Sequence, residues 1–286
     1  MPLFRPSVRR TLGAAGAVII FILLAGATYQ GVATALERRE YPRPGGLVSV
    51  GDHQLHIYCT GTGTPTVVLE APAAGLSAAW GDVQRQLSGT TRVCSYDRAG
   101  LGWSESGDRP FVPARVPAEL RTLLTRADER GPFVIAGHGL GAAFARMYAA
   151  RPDSAVAALV LIDPSPANAT ASQPGWIMPA SPWLARTGVL RAGRILSSKA
   201  DGLIAGGALR AFLNRPDHLT RAAAELDEWD ETMKSAAEAE PPAALHVTTV
   251  DLGARDRIAF LTTPEAVDRV VRAIADATAT ARTRQN

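Results

Sequence analysis

Phe133-Val-Ile-Ala-Gly-His-Gly-Leu-Gly-Ala-Ala-Phe-Ala-Arg-Met-Tyr148 decides how the rest of this 286-residue chain is read. An apolar, strand-like run stops at Gly137 and turns through three alternating glycines. It then enters an amphipathic helix in which Phe144, Met147 and Tyr148 share one face. Gly139 is the apex of this turn, with Gly137 and Gly141 two residues to either side. A G-x-G-x-G string by itself also suits an ordinary glycine-rich strand-to-helix turn or a phosphate loop. Its spacing is not the G-x-G-x-x-G of a dinucleotide turn, and it stands too late among the strands for a first turn of that kind.

Outward from that stretch, strands and helices alternate. Leu47–Val50 and His53–Cys59 read as a hairpin turning at Gly51-Asp52, and Thr66–Glu70 as a buried strand leading into Ala71-Pro-Ala-Ala-Gly75. Arg92–Asp97 is the next strand, followed by the tight loop Arg98-Ala-Gly-Leu-Gly-Trp-Ser104 and a helix around Ala118–Ala127. Val156–Asp163 is another strand, stopped by Pro164 and Pro166. This order predicts an α/β fold with a mostly parallel sheet and helices on both faces. From Ser165 to Pro242 the alternation breaks into a largely helical insertion containing Trp176, Trp183 and Trp229, read as a cap over the strand ends. A strand resumes at Leu245–Leu252. Thr263-Pro264 then opens a last helix, with a polar N-cap and proline at the first helical position. Its apolar stripe is Val267, Val270, Val271 and Ile274.

At the other end, Arg5, Arg9 and Arg10 precede an uncharged run from Thr11 to Leu36. The run is long enough to cross a ~30 Å hydrocarbon core as a helix. Ala25-Gly-Ala27 would also serve as a signal-peptide cleavage site, but the length of the run favours an uncleaved membrane anchor over residues 1–36. Residues 37–46 read as a linker, and 47–286 as one globular domain. Arginines flank both ends of the run, so charge does not orient it. Either reading puts the globular part outside the cytoplasm, as a single-pass membrane protein or a secreted one. The net charge of +3 is carried by arginine, with Lys199 and Lys234 the only lysines. No basic cluster is interleaved with aromatics, which argues against nucleic-acid binding.

Five pieces carry a family resemblance: His53–Gly61, Pro65–Glu70, Tyr96-Asp-Arg-Ala-Gly-Leu-Gly-Trp-Ser104, Gly137-His-Gly-Leu-Gly141 and Leu159–Asp163. With them the chain resembles the α/β-hydrolases, in particular esterase- and lipase-like bacterial proteins that are exported or membrane-anchored. Under that resemblance Gly137–Gly141 is the nucleophile elbow, G-x-S-x-G, and Gly139 takes the place of the attacking serine. Gly137 and Gly141 would then be structural, as would Asp97 and Arg98 of the loop after the fourth strand. The oxyanion donors would be the N–H groups of Leu140 and of the Ala71–Gly75 loop. In that loop Pro72 replaces the usual glycine and leaves Ala73 to donate.

The resemblance places the acid after the strand Leu245–Leu252, at Asp256, with Asp163 the alternative. A solvated loop aspartate and a strand-end cap are the plain readings of the two. The histidine position falls on Arg257, whose guanidinium stays protonated and cannot act as a base. Asp256 and Arg257 are adjacent, so the segment that separates acid from histidine in the family is missing. His53 and His56 belong to the hairpin, His138 is the variable residue of the elbow, His218 sits in the cap and His246 begins a strand. No ligand spacing among histidines and cysteines points to a metal, and no cofactor is implied. Because the family's strand order makes the strands of Cys59 and Cys94 neighbours, they could form a disulfide; two buried thiols are the other reading. Together these features imply a membrane-anchored fold that has lost serine-hydrolase chemistry and binds a partner or an apolar ligand under the cap. A working ester or lipid hydrolase with a non-standard site is the alternative. Oligomeric state is open.

Overall fold

Valine, isoleucine and leucine fill the central strands on both faces, the pattern of a parallel sheet covered on both sides. The structure is a computed structural model and describes residues 6–107, 110–165, 177–203, 206–253 and 258–284. Helix α1 (Pro6–Glu40) precedes the hairpin β1 (Gly46–Ser49) and β2 (Gln54–Thr60). Next come β3 (Thr66–Glu70), α2 (Gly81–Leu87), β4 (Val93–Tyr96), α3 (Arg115–Arg126), β5 (Phe133–His138), α4 (Leu140–Ala149) and β6 (Val156–Ile162). The insertion supplies α5 (Ile177–Arg186), α6 (Val189–Ala192), α7 (Gly207–Phe212), α8 (Pro216–Asp227) and α9 (Trp229–Glu238). Strand β7 (His246–Val250) and helix α10 (Pro264–Thr283) close the described chain.

The sheet order is β1-β2-β4-β3-β5-β6-β7. β2 runs antiparallel to both β1 and β4, and every pair from β4 to β7 is parallel. The register sets Glu70 of β3 beside Gly137 of β5, and His138 beside Ile162 of β6. The loops after β3, β5 and β6 therefore emerge at one edge, under the cap. Cys59 and Cys94 face one another across the β2–β4 register and form a disulfide.

Two apolar layers sandwich the sheet. On one face Val67, Leu69, Val134 and Val160 pack with Trp80 and with the α10 stripe Val267, Val270, Ile274 and Ala277. Val271, expected in that stripe, is only partly buried at its edge. On the other face Val68, Ile135 and Leu159 pack with Leu120, Leu123 and Leu124 of α3 and Tyr148 of α4. The N-cap of α10 is the hydroxyl of Thr263, which accepts from the Ala266 N–H.

The structure differs from the sequence reading at the start of the domain. Helix α1 continues to Glu40, four residues into the stretch read as linker. It is held there by tertiary contacts: Glu37 pairs with Arg191, whose Nε also donates to Gln30 Oε1 at 2.9 Å. Gln30 in turn donates to the Asn214 carbonyl at 2.7 Å. The second half of α1 thus docks on the cap.

Candidate active site

The elbow is built by backbone. Gly139 has φ 55° and ψ −118°, outside the regions that an L-residue occupies without strain. Its N–H donates to the Ile162 carbonyl at 2.9 Å, tying the turn to the end of β6. The flanking glycines answer a different need. A Cβ on Gly137 would collide with the Gly141 carbonyl, and one on Gly141 with the carbonyls of Glu70 and Ala71. At Gly139 the space is open, and the first atom that a Cβ would meet is Pro72 Cβ, 3.7 Å away. So the frame glycines are forced by crowding, whereas the apex is constrained by conformation alone.

Pro72 belongs to the loop Ala71–Gly75, which the structure brings against the elbow and folds on itself through the Gly75 N–H to the Pro72 carbonyl, 3.0 Å. Arg98 fixes this loop from beneath. Its guanidinium donates to the carbonyls of Ala71 at 2.7 Å and Pro72 at 3.1 Å. It also donates to the carboxylates of Glu70 at 2.7 Å and Glu225 at 2.7 Å. All three charged side chains are buried, and Glu225 lies on α8 of the cap. Tyr96 donates its hydroxyl to Glu70. Burial pushes the Glu70 carboxyl up, with the pull of Arg98 and the Tyr96 hydrogen bond opposing. Burial also pushes the Tyr96 phenol up, and the Glu70 charge adds to it. Burial works against the Arg98 charge, but its two carboxylate partners more than offset that and keep it cationic.

Asp97, the neighbour of Arg98, is equally committed. Oδ1 accepts from the Ser77 N–H at 2.6 Å, and Oδ2 accepts from the Trp103 N–H at 2.9 Å and lies 2.9 Å from His56 Nδ1. The loop residue Gly102 approaches so closely that a Cβ there would strike this carboxylate.

Each of the five histidines has a defined place. His53 pairs with Asp52 at 2.9 Å, and His56 bridges Asp97 to the Pro44 carbonyl. His246 stands at the start of β7, away from the elbow edge, with Nε2 3.2 Å from the Thr248 hydroxyl. His218, on α8, accepts from the Gly102 N–H through Nδ1 at 3.1 Å, so its Nε2 carries the proton given to the Ala74 carbonyl at 3.0 Å. Burial lowers its pKa and keeps it neutral. His138 turns into the sheet interior toward Trp80, with Nε2 3.7 Å from Asp163 Oδ2.

Asp163 sits at φ 41° just past β6 and accepts the Leu252 N–H on Oδ1 at 2.6 Å, linking the ends of β6 and β7. Burial pushes its carboxyl up, but His138 and the backbone N–H groups of Leu252 and Gly253 outweigh this and hold it below the usual range. Asp256 and Arg257 lie outside the described residues. Of the residues singled out in the sequence, Gly139, Leu140, Ala73 and Pro72 come together at one point. Asp163 Oδ2 stands 3.7 Å from His138 Nε2, one residue after Ile162, whose carbonyl accepts the Gly139 N–H.

Above the elbow, Leu140, Ala143 and Phe144 join one apolar cluster with Leu190, Phe212 and Met233 of the cap. A cavity of about 680 Å³ lies instead between the segment after α1 and α2, lined by Tyr41, Tyr58, Gln84 and Trp103. A smaller one of about 290 Å³ is lined by His53, Phe111, Glu119 and Arg221. Gly139 lines neither.

The alpha/beta hydrolase family model matches residues 59–284, most of the chain. This chain belongs to the alpha/beta hydrolase family. The fold agrees: the enol-lactonase of Burkholderia xenovorans superposes with a TM-score of 0.58, covering 81% of this chain and 99% of that one at 17% identity. Among curated proteins, an uncharacterized protein of Schizosaccharomyces pombe is 40% identical over 82 residues, 29% of this chain and 15% of that protein. An uncharacterized vacuolar membrane protein of Saccharomyces cerevisiae is 36% identical over 89 residues, 31% of this chain and 14% of that protein. The alignments thus cover about a seventh of the length of these relatives.

Within this α/β-hydrolase, sequence reasoning missed the partners that come from the cap. Glu225 and His218 meet the Arg98 loop across 127 and 116 residues of sequence, and no local pattern marks either. The His138–Asp163 contact was within reach, because parallel neighbouring strands end together.

Proposed function

We propose that this chain is a membrane-anchored α/β-hydrolase-fold protein without serine-hydrolase chemistry, serving as a binding or partner module. One observation carries the reading. The elbow apex is Gly139, and among the described residues each of the five histidines is held by partners other than the apex, which speaks against the nucleophile–base pair that acyl transfer requires. Arg257 stands where the resemblance expects the base, and Pro72 beside the apex removes one N–H from the oxyanion loop.

Helix α1 supports the anchor, since residues 10–40 have a mean hydropathy of 2.1 in their most apolar window. The Cys59–Cys94 disulfide supports an oxidising, extracytoplasmic location for the globular part. The cap packs directly on α4 above the apex, which favours a partner over an apolar small molecule for this role, and the bacterial exported branch remains the sequence context that suits it.

Purified full-length protein is expected to leave a short-chain nitrophenyl ester unhydrolysed above background and to resist labelling by a fluorophosphonate. Steady turnover by the wild type, above that of matched Asp256→Ala and Asp163→Ala controls, would overturn the reading and favour hydrolysis without an elbow serine.

A further inference from the structure

Where α1 meets the cap is fixed by close packing. A Cβ on Gly26 would collide with the Thr187 carbonyl, and Tyr29 Cδ1 lies 3.0 Å from where a Cβ of Gly188 would stand. Gly188 itself has φ 73°, so the turn between α5 and α6 is shaped to receive the helix. Further along, Gln30 is buried against Asn214, and the partly buried Glu37 pairs with Arg191.

These contacts conflict with a cap standing clear of the bilayer. The uncharged run begins at Thr11. At 1.5 Å per residue Gly26 is ~22 Å along the helix axis from Thr11, within the ~30 Å that hydrocarbon must cover. Moving the span toward Leu36 carries Gly26 deeper still. Moving it the other way, until Gly26 clears the hydrocarbon, draws Arg9 and Arg10 into it, which is costly.

The cap residues flanking the receiving turn suit that placement. Trp183 is 71% exposed and Val189 46% exposed, although both are large and apolar. The Arg186 guanidinium stacks over Trp183 at 4.8 Å and borders, with Arg38, the groove between α1 and the cap. An indole beside an arginine is the pairing that settles at the headgroup boundary. On the other side of the turn, Phe21 and its neighbours on α1 present the bare apolar surface expected to face lipid.

We propose that the α5–α6 corner of the cap is seated in the bilayer interface, with Trp183 and Val189 in contact with lipid beside α1. The inference rests on the reading of α1 as a membrane span, and the experiment separates the two.

Full-length protein would carry a single environment-sensitive label on Trp183→Cys, Val189→Cys, Phe21→Cys or Arg130→Cys, the native cysteines being bridged. Arg130 is exposed and precedes β5, at the opposite edge of the sheet. Each variant is reconstituted into phosphatidylcholine vesicles containing phosphatidylglycerol, with and without brominated acyl chains. The expected result is emission cut by at least half at 21, 183 and 189, with 130 unchanged. Quenching at 21 while 183 and 189 behave like 130 overturns the inference and leaves the anchor standing. Emission at 183 and 189 that is shifted to the blue yet indifferent to bromine overturns it in favour of a protein partner. No quenching at 21 removes the anchor and the inference together.

Discussion

The elbow and the loop that follows β4 lie side by side under the cap, and they use their residues in opposite ways. At Gly137–Gly141 the backbone shape is kept while the apex carries no side chain. At Asp97–Ser104 the side chains do the holding: Arg98 ties the sheet, the Ala71–Gly75 loop and the cap together, and Asp97 gathers three partners. The difference teaches where constraint lies in this molecule. A turn with a bare apex can keep its shape because crowding at its flanks and the packing around it demand the same backbone. A buried ionic cluster persists because removing any member strands the others without solvent.

That contrast is sharpest at Arg98. Arg98→Met leaves two buried carboxylates facing each other and is expected to cost about 3–5 kcal/mol, read as a loss in chemical-denaturation midpoint. Replacing Arg98, Glu70 and Glu225 together by apolar residues of similar volume should recover most of that loss. A mild effect of Arg98→Met alone would mean that the cluster is hydrated and holds nothing.

Gly141→Ala comes next. Its new methyl meets the carbonyls of Glu70 and Ala71, backbone atoms that cannot swing aside, so a loss of roughly 1–3 kcal/mol or failure to fold is expected. Gly139→Ser should be milder, near ~1 kcal/mol, because only the strained φ and ψ are at issue and the Cβ has room. Thermal unfolding of the two variants side by side checks the order. Reversal of that order would mean that the apex, rather than its flanks, is the crowded position.

In activity the expected change is smallest. Gly139→Ser, alone or with Arg257→His, should give no turnover of a nitrophenyl ester. An unactivated hydroxyl is a poor nucleophile, and the short Asp256-Arg257 connection leaves no length to bring a base alongside it. A rate for the double variant above the product of the single effects would show that the old geometry survives.

The cap contact made by His218 should respond to pH. Its folded pKa lies below the unfolded value near 6.5, so its contribution is present above that value and is lost as pH falls through the folded one. Hydrogen exchange at the Gly102 amide should therefore lose protection as pH is lowered from neutral, once corrected for the intrinsic rate. In His218→Gln the same titration should be flat.

Much of this was legible in the sequence, for physical reasons that particular elements display. β3 and β5 announce themselves as unbroken apolar runs because both faces of a parallel strand are buried, and α10 announces itself by a stripe and a Thr-Pro start. The elbow was readable because glycine at three alternating positions answers local demands of backbone and space. The length of α1's apolar run was equally plain.

The tertiary structure decided what depends on partners distant in sequence. That α1 runs on to Glu40 follows from Arg191 and Asn214 of the cap, more than 150 residues away in the chain. That Arg98 is a tie between layers, and His218 a neutral strut, follows from how α8 is laid over the Ala71–Gly75 loop. Local sequence specifies conformations that neighbours along the chain enforce. Which buried charges meet is set by packing, since the free energy of burying a charge depends on the partner it finds.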